Sequence, residues 1–184
     1  MIVCAGRNET FEFAQVIGVG LIESAINLTK ICLTKKPSSL VFIGSAGSYG
    51  EHNLFDIVES REASNIELSF LSKDSYTPLD NILKSDNEIV KNETIVNSSN
   101  YISTNEELVK DYKKFGIGIE NMEYFSIVQV AKQFNIPVAG IFVVTNYTNK
   151  NAHQDFLKNH KEAMTKLNEY LVEKKYYKIK KEME

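Results

Sequence analysis

The stretch "GIGIENMEYFSIVQVAKQFNIPVAGIFVVTN", residues 116–146, decides the fold class. Residues 116–120 are typical of a strand, and the very apolar residues 136–146 indicate a central strand. Between them, apolar side chains recur at the spacing of one helix face, at Ile127, Val130, Ala131 and Phe134. A strand, a helix and a second strand in this order predict a largely parallel sheet covered by helices.

The rest of the chain alternates in the same way. Strands are predicted within residues 1–6, 11–20, 39–44, 55–60, 65–71 and 93–99, and helices from Leu21, from Thr104 as N-cap and from near His153. The polar residues 72–93 are expected to form a loop, and the charged residues 173–184 a solvated face or a frayed end. We therefore expect an α/β fold, a three-layer sandwich whose mixed, mostly parallel sheet is flanked by helices, as a single domain over residues 1–184.

Composition narrows the class of protein. The 184 residues carry a net charge of −3, so no basic field points to nucleic acid. The first residues lack the features of a signal peptide, and no stretch approaches the roughly 20 apolar residues of a membrane span. Cys4 and Cys32 form no metal-ligand pattern. We expect a cytoplasmic protein with no metal, membrane or nucleic acid as partner.

The strand exits are the informative segments, because ligands of such sheets bind beyond the carboxyl ends of the strands. The loop "GSAGSYG" (44–50) follows a predicted buried strand, and its small residues would let a ligand approach the backbone N–H groups. A tight turn is the alternative. The loop is not a P-loop, since no Lys-Ser/Thr follows at the required spacing.

Two carboxylates, Glu120 and Glu123, lie where an apolar strand becomes an apolar helix. Asn121 can cap that helix, and its dipole would stabilise a carboxylate at Glu123. Aromatic residues follow at once, so a carboxylate buried here needs a hydrogen-bond partner. The two vicinal hydroxyls of a sugar are suitable donors. Glu120 is expected to be a strand-end residue or one that supports the site from behind.

Several segments together resemble the nucleoside phosphorylase and methylthioadenosine/adenosylhomocysteine nucleosidase superfamily. They follow the order and approximate spacing of that family and are "GVGLIESAINLT" (18–29), "FIGSAGS" (42–48), "FDIV" (55–58), "ENMEYFSIVQVAKQFNIPV" (120–138) and "VVTN" (143–146). The resemblance covers nearly the whole chain. It implies an enzyme that cleaves a purine–ribose N-glycosidic bond, and a homo-oligomer.

The resemblance also implies residues for the ribose and the nucleophile. Glu123 resembles the glutamate that binds the ribose hydroxyls, and Met122 the methionine that packs on the sugar. The loop beside the nucleophile and the base corresponds to Ser45, Ala46 and Gly47.

The base would be held by residues from two other segments. Tyr101 and Ile102 sit where the family stacks an aromatic and an aliphatic residue against the purine, although an ordinary packed aromatic is the alternative for Tyr101. Asn146 occupies the catalytic position of the acid or amide that recognises the base.

The chain departs from the family pattern at informative positions. Nucleosidases of the superfamily carry an Asp where Asn146 stands and an arginine where Phe142 stands. An amide cannot act as an acid, but it can donate a hydrogen bond to N7 or O6 of a 6-oxopurine. Arg7 resembles a phosphate-binding arginine of the phosphorylases, with Ser45 as a second phosphate ligand. Glu9 resembles the catalytic acid on the first loop of the nucleosidases.

These correspondences lead to one expectation and two alternatives. We expect a purine nucleoside phosphorylase that acts on 6-oxopurine nucleosides, with phosphate as co-substrate and no cofactor. One alternative is a hydrolytic nucleosidase of the methylthioadenosine/adenosylhomocysteine type. The other is a degenerate homologue that binds nucleosides without turning them over.

Overall fold

The computed structural model describes residues 1–176, apart from the side chain of Leu108, and residues 177–184 of the predicted charged end lie outside this range. Within it the sheet has nine strands: Ile2–Cys4 (β1), Gln15–Val16 (β2), Leu40–Ser48 (β3), Ile57–Ser60 (β4), Glu62–Ser64 (β5), Ile82–Lys84 (β6), Ile95–Ser98 (β7), Ile117–Asn121 (β8) and Val138–Tyr147 (β9). The helices are Gly20–Lys35 (α1), Leu68–Leu71 (α2), Glu106–Val109 (α3), Tyr124–Gln133 (α4) and Ala152–Glu173 (α5), and a 3₁₀ helix spans Lys110–Phe115.

The strands β3 and β9 form the centre of the sheet and run parallel over their whole lengths. On its other edge, β3 pairs with β1 in its first half and with β8 at Gly47 and Ser48. The sheet continues from β8 through β7 and β5 to β6, while β4 flanks β9. Because β3 changes its neighbour from β1 to β8, the exits of β1, β3, β8 and β9 come together.

The side chains of the central strands alternate between two helical layers. One face packs on α1 and α4 in a core that includes Phe42, Phe142 and Ile127. The opposite face packs on α5 in a core that includes Ile141 and Leu167. The predicted three-layer α/β fold with a mixed sheet flanked by helices is confirmed. No helix within the described residues is both long and apolar enough to cross a membrane.

Asn121 caps α4 with its side chain, as expected from the sequence, but it lies two residues before the N-cap position, which is Glu123. The Oδ1 atom of Asn121 accepts hydrogen bonds from the backbone N–H groups of Glu123, at 2.8 Å, and Tyr124, at 2.9 Å. The predicted apolar face of α4 is buried, with Ile127 and Ala131 inaccessible to solvent. The capping bonds and the burial of α4 together fix the direction in which the chain runs from β8 through Glu123 into the helix.

The prediction of a strand over residues 65–71 is wrong, because Leu68–Leu71 is the short helix α2. The side chain of Asn97 accepts a hydrogen bond from the N–H of Ile66 and donates one to its carbonyl oxygen. These backbone groups are therefore bonded to a side chain in place of a neighbouring strand. The strand β5 accordingly ends at Ser64.

Four smaller predictions also change. Residues 45–48 of the predicted loop 44–50 continue the strand β3, so Ser45, Ala46 and Gly47 lie within a strand. Within residues 11–20 only the two residues of β2 pair with a neighbouring strand. Residues 72–93 are not entirely loop, since they contain β6, which pairs with β5. Asn105 caps α3 in place of Thr104, because the Asn105 Oδ1 accepts the hydrogen bond from the N–H of Glu107.

Candidate active site

A cavity of about 380 Å³ opens at the exits of β1, β3, β8 and β9. Every site residue predicted from the sequence lines it, namely Arg7, Glu9, Ser45, Ala46, Gly47, Tyr101, Ile102, Met122, Glu123 and Asn146. These residues come from five separate segments of the chain, so the fold as a whole brings them together.

Glu123 forms a buried wall of the cavity, with 3 % of its surface exposed. Its Oε1 accepts a hydrogen bond from the N–H of Gly20, the first residue of α1, at 2.8 Å. The next N–H of the helix, that of Leu21, donates to the Oδ1 of Asn100 at 3.0 Å. Burial raises the pKa of Glu123 to about 7, and the bond from Gly20 opposes that rise. A carboxylate held in this way can accept hydrogen bonds from hydroxyls in the cavity.

Glu9 reaches the same cavity from the loop after β1. Its Oε1 accepts hydrogen bonds from the Ser45 hydroxyl and, at 3.3 Å, from the Ser45 N–H. The backbones of Gly6 and Glu9 exchange two hydrogen bonds, at 3.1 and 3.0 Å, which close a tight turn. Burial raises the pKa of the Glu9 carboxyl above its ordinary value, and the bonds from Ser45 oppose that rise. A carboxylate with a raised pKa is a stronger base than an ordinary one and can take a proton from a water molecule beside it.

Asn146 lies near the end of β9 and is buried. Its Oδ1 accepts a hydrogen bond from the Thr145 hydroxyl at 2.9 Å, and its Nδ2 donates one to the Tyr147 carbonyl at 3.2 Å. The amide nitrogen carries two hydrogens, and the bond to Tyr147 uses one of them. A Cβ at Gly47 would come within 3.0 Å of this nitrogen, so glycine leaves the space that the amide occupies.

The rim of the cavity carries Tyr101 and Ile102. Tyr101 is 84 % exposed, so the alternative that it is an ordinary packed aromatic is wrong. The loop that bears these residues is tied to β8, since the carboxylate of Glu120 accepts hydrogen bonds from the Ser103 N–H and the Tyr49 hydroxyl, each at 2.9 Å. Burial raises the pKa of Glu120. Glu120 thus holds the loop from near the end of β8, as predicted for a strand-end residue, but it also lines the cavity and does not lie behind it.

The two arginines differ in their relation to the cavity. Arg7 lines it, but its guanidinium is 69 % exposed and lies 3.5 Å from the Glu23 carboxylate. Arg61 does not line the cavity and donates a hydrogen bond to the Asn87 carbonyl at 3.0 Å. Among the arginines and lysines of the described residues, only Arg7 lines the cavity, and its exposed guanidinium is paired with Glu23.

The helix α5 contributes a wall of the cavity that was not predicted from the sequence. Ala152, His153 and Phe156 line the cavity from the first turns of this helix. A usable signal was present, because the helix predicted near His153 begins only a few residues after the exit of β9. Its first turn must therefore pass close to Asn146.

A comparison with known protein families finds a match that includes part of this cavity. Residues 83–173 match the model of the family described as the Phosphorylase superfamily. No curated protein matches the sequence at a significant level. The matched residues include the entry to α4 with Met122 and Glu123, the exit of β9 and the whole of α5.

Solved structures of nucleoside-cleaving enzymes share the fold. A D198N mutant of MTAN from Helicobacter pylori, with 5'-methylthioadenosine in its active site, has a TM-score of 0.78 at 14 % identity, covering 94 % of this chain and 96 % of that one. The native futalosine hydrolase of H. pylori has a TM-score of 0.76 at 14 % identity, with 94 % and 95 % covered. The MTA/SAH nucleosidase of Streptococcus pneumoniae, in complex with 8-aminoadenine, has a TM-score of 0.73 at 16 % identity, with 94 % and 96 % covered.

These findings confirm the resemblance to the nucleoside phosphorylase and nucleosidase superfamily. At 14–16 % identity the solved structures establish the fold that the chain shares with them, and they leave its substrate to be argued from its own residues.

Proposed function

We propose that the protein is a purine nucleosidase, an enzyme that uses water to cleave the bond between a purine and ribose. The observation that carries the proposal is the buried Glu9 carboxylate, bonded to Ser45 in the same cavity as Glu123. Glu123 can hold the sugar by its hydroxyls. Glu9 can then act as the base for a water molecule on one side of that sugar.

The reaction follows from the roles of these groups. A water beside Ser45 transfers a proton to Glu9 as its oxygen bonds to the anomeric carbon of the ribose. The bond from that carbon to the purine nitrogen breaks, and its electron pair leaves with the base. The departing base takes a proton from solvent, because the Asn146 amide has no acidic proton to give. A hydrogen bond from Asn146 to N7 or O6 stabilises the charge that develops on the base.

Glu123 and Asn146 select the substrate. The Glu123 carboxylate accepts hydrogen bonds from the ribose hydroxyls, and Met122 packs against the sugar. The Asn146 amide can donate to the carbonyl oxygen of a 6-oxopurine, which a carboxylate at this position would repel. We therefore propose that 6-oxopurine nucleosides such as inosine and guanosine are preferred.

Water is favoured over phosphate as the nucleophile. The hydroxyl and the N–H of Ser45 already donate to Glu9, so they are not available as ligands for a phosphate beside Ser45. The solved structures with this fold that are described above are named as nucleosidases or hydrolases. Phosphorolysis is the second candidate, and the observation that favours it is Arg7 at the cavity wall.

One assay separates the candidates. Inosine, guanosine, adenosine and 5'-methylthioadenosine are incubated with the full chain, with and without phosphate, and base and sugar products are identified. The proposal expects free base and free ribose, or the free thioribose, at a rate that phosphate does not change. Formation of ribose 1-phosphate only when phosphate is present would establish phosphorolysis instead. Binding without release of base would identify a degenerate nucleoside-binding protein.

A further inference from the structure

His160, in the middle of α5, lies behind the turn that carries Glu9. Its Nε2 is 2.8 Å from the carbonyl oxygen of Asn8. A carbonyl oxygen only accepts hydrogen bonds, so the hydrogen is on Nε2 and the imidazole donates. The ring therefore ties the last helix to the residue immediately before Glu9.

The rest of the ring is confined as well. Its Nδ1 is buried and has no hydrogen-bond partner among the described residues. The ring packs against Phe156, which lines the cavity, with 5.0 Å between the ring centroids. The bond to Asn8 on one side and the contact with Phe156 on the other hold the imidazole in one orientation and one tautomer.

The turn is held to the rest of the fold by three contacts: Glu9 accepts from Ser45, Arg7 lies 3.5 Å from Glu23, and Asn8 accepts from His160. Gly6 and Arg7 have positive φ angles of 96° and 56°, and a side chain such as that of Arg7 adopts this region at a cost in energy. The two backbone bonds between Gly6 and Glu9 close the turn on itself, but they do not fix it to the rest of the fold. The carbonyl of Asn8 is the backbone group through which α5 holds it.

We propose that His160 is a positioning residue for Glu9. By donating to the Asn8 carbonyl, His160 keeps the strained turn against α5. The Glu9 carboxylate then remains hydrogen-bonded to Ser45 and within reach of the attacking water. The hold on the turn is a property of the fold, and only its effect on the rate rests on the proposed function. A neutral imidazole is sufficient, because the required group is the Nε2–H donor.

The test compares two variants of the full chain. His160→Gln keeps an N–H donor at a similar distance from the backbone. His160→Leu replaces the ring with an apolar side chain that has no donor. For His160→Leu we expect exchange of the Glu9 and Gly6 amide hydrogens to become about tenfold faster. We expect kcat to fall about tenfold or more, with KM changed by less than about threefold, because the base is misplaced while the ribose site is intact. His160→Gln should restore most of both quantities.

Each outcome decides a stated point. Amide exchange in His160→Leu at the wild-type rate would overturn the inference, whatever happens to catalysis. Faster exchange with an unchanged kcat would also overturn it, since the turn would then not position the base. Faster exchange in a protein whose wild type cleaves no nucleoside would support the hold on the turn and overturn the proposed function alone.

A measurement on the wild type keeps the inference testable even if a variant does not fold. The nitrogen-15 NMR spectrum of the His160 ring should show a hydrogen on Nε2 at neutral pH. A neutral ring with its hydrogen on Nδ1 could not donate to Asn8 and would overturn the inference.

Discussion

Glu123 and Gly20 are 103 residues apart in the chain, yet the carboxylate of the first accepts the N–H of the second at 2.8 Å. Val19, at the N-cap of α1, makes no side-chain capping bond, so Glu123 caps this helix from a distant part of the sequence. The positive end of the helix dipole favours the ionised carboxylate. Burial acts in the opposite direction and raises its pKa to about 7. Glu123 is thus balanced between its two protonation states near neutral pH.

This balance predicts the acid side of the activity profile. An ionised Glu123 accepts hydrogen bonds from ribose hydroxyls with both oxygens, so kcat/KM should fall as the pH drops below about 7. Glu123→Gln should remove the part of this dependence that comes from Glu123 and leave the part that comes from the Glu9 base, whose pKa is also raised. It should cost about 1.5–3 kcal/mol of binding or transition-state stabilisation, which is tenfold or more in rate. The pH dependence of kcat/KM for both proteins tests this. A folded Glu123→Gln variant with wild-type turnover and affinity would show that Glu123 does not hold the ribose.

The same pKa makes a prediction about stability. The folded-state pKa of about 7 lies above the ordinary value of 4.5, so the stabilising effect of the protonated form is complete below about pH 4.5 and is lost as the pH rises through 7. Glu123→Gln should therefore be more stable than the wild type at pH 8, by up to about 3 kcal/mol, with little difference at pH 4.5. Urea unfolding at the two pH values measures this. If Glu123→Gln were instead less stable than the wild type by the same amount at both pH values, the ionised carboxylate would stabilise α1 by more than its burial costs.

The local parts of the site could be predicted from the sequence, and the long-range parts could not. The segment around Met122 and Glu123 has a strand pattern followed by a helix pattern, and this periodicity places its side chains at a strand exit. The bond from Gly20 to Glu123 has no such local signature, because it depends on how α1 packs against α4. The helix α2 was missed for a similar reason, since Asn97 from another strand bonds the backbone at Ile66.

Glu9 should be required for the chemical step more than for binding. Replacing Glu9 with Gln keeps a hydrogen-bond acceptor for Ser45 but removes the base, so we expect kcat to fall about 10²–10⁴-fold while the nucleoside still binds. Ser45→Ala is the matched control, since it removes the partner and leaves the base, and its loss should be smaller. Calorimetric binding of inosine and steady-state kinetics separate the two effects. A Glu9→Gln variant with wild-type kcat would exclude Glu9 as the base.

Asn146 should determine which purine is preferred. In Asn146→Asp, a protonated carboxyl can donate to N7 while its other oxygen accepts from a 6-amino group. We therefore expect the ratio of kcat/KM for adenosine to that for inosine to rise in the variant. Tyr147 bonds Asn146 only through its backbone carbonyl, so Tyr147→Phe is a control that should keep the wild-type ratio. A wild type that already prefers adenosine by a wide margin would contradict the role assigned to the amide.

Arg7 distinguishes the two nucleophiles. Its guanidinium is 69 % exposed and paired with Glu23, and an exposed ion pair of this kind contributes at most about 1 kcal/mol. If water is the nucleophile, Arg7→Ala should release base in phosphate-free buffer at a rate within a few-fold of the wild type. Glu23→Gln is the matched control, because it frees the guanidinium without removing it. If Arg7 instead binds phosphate in a bidentate manner, base release should require phosphate and yield ribose 1-phosphate. Arg7→Ala should then raise the KM for phosphate far more than the KM for the nucleoside, and Glu23→Gln should lower it, a pair of results that the hydrolytic reaction does not allow.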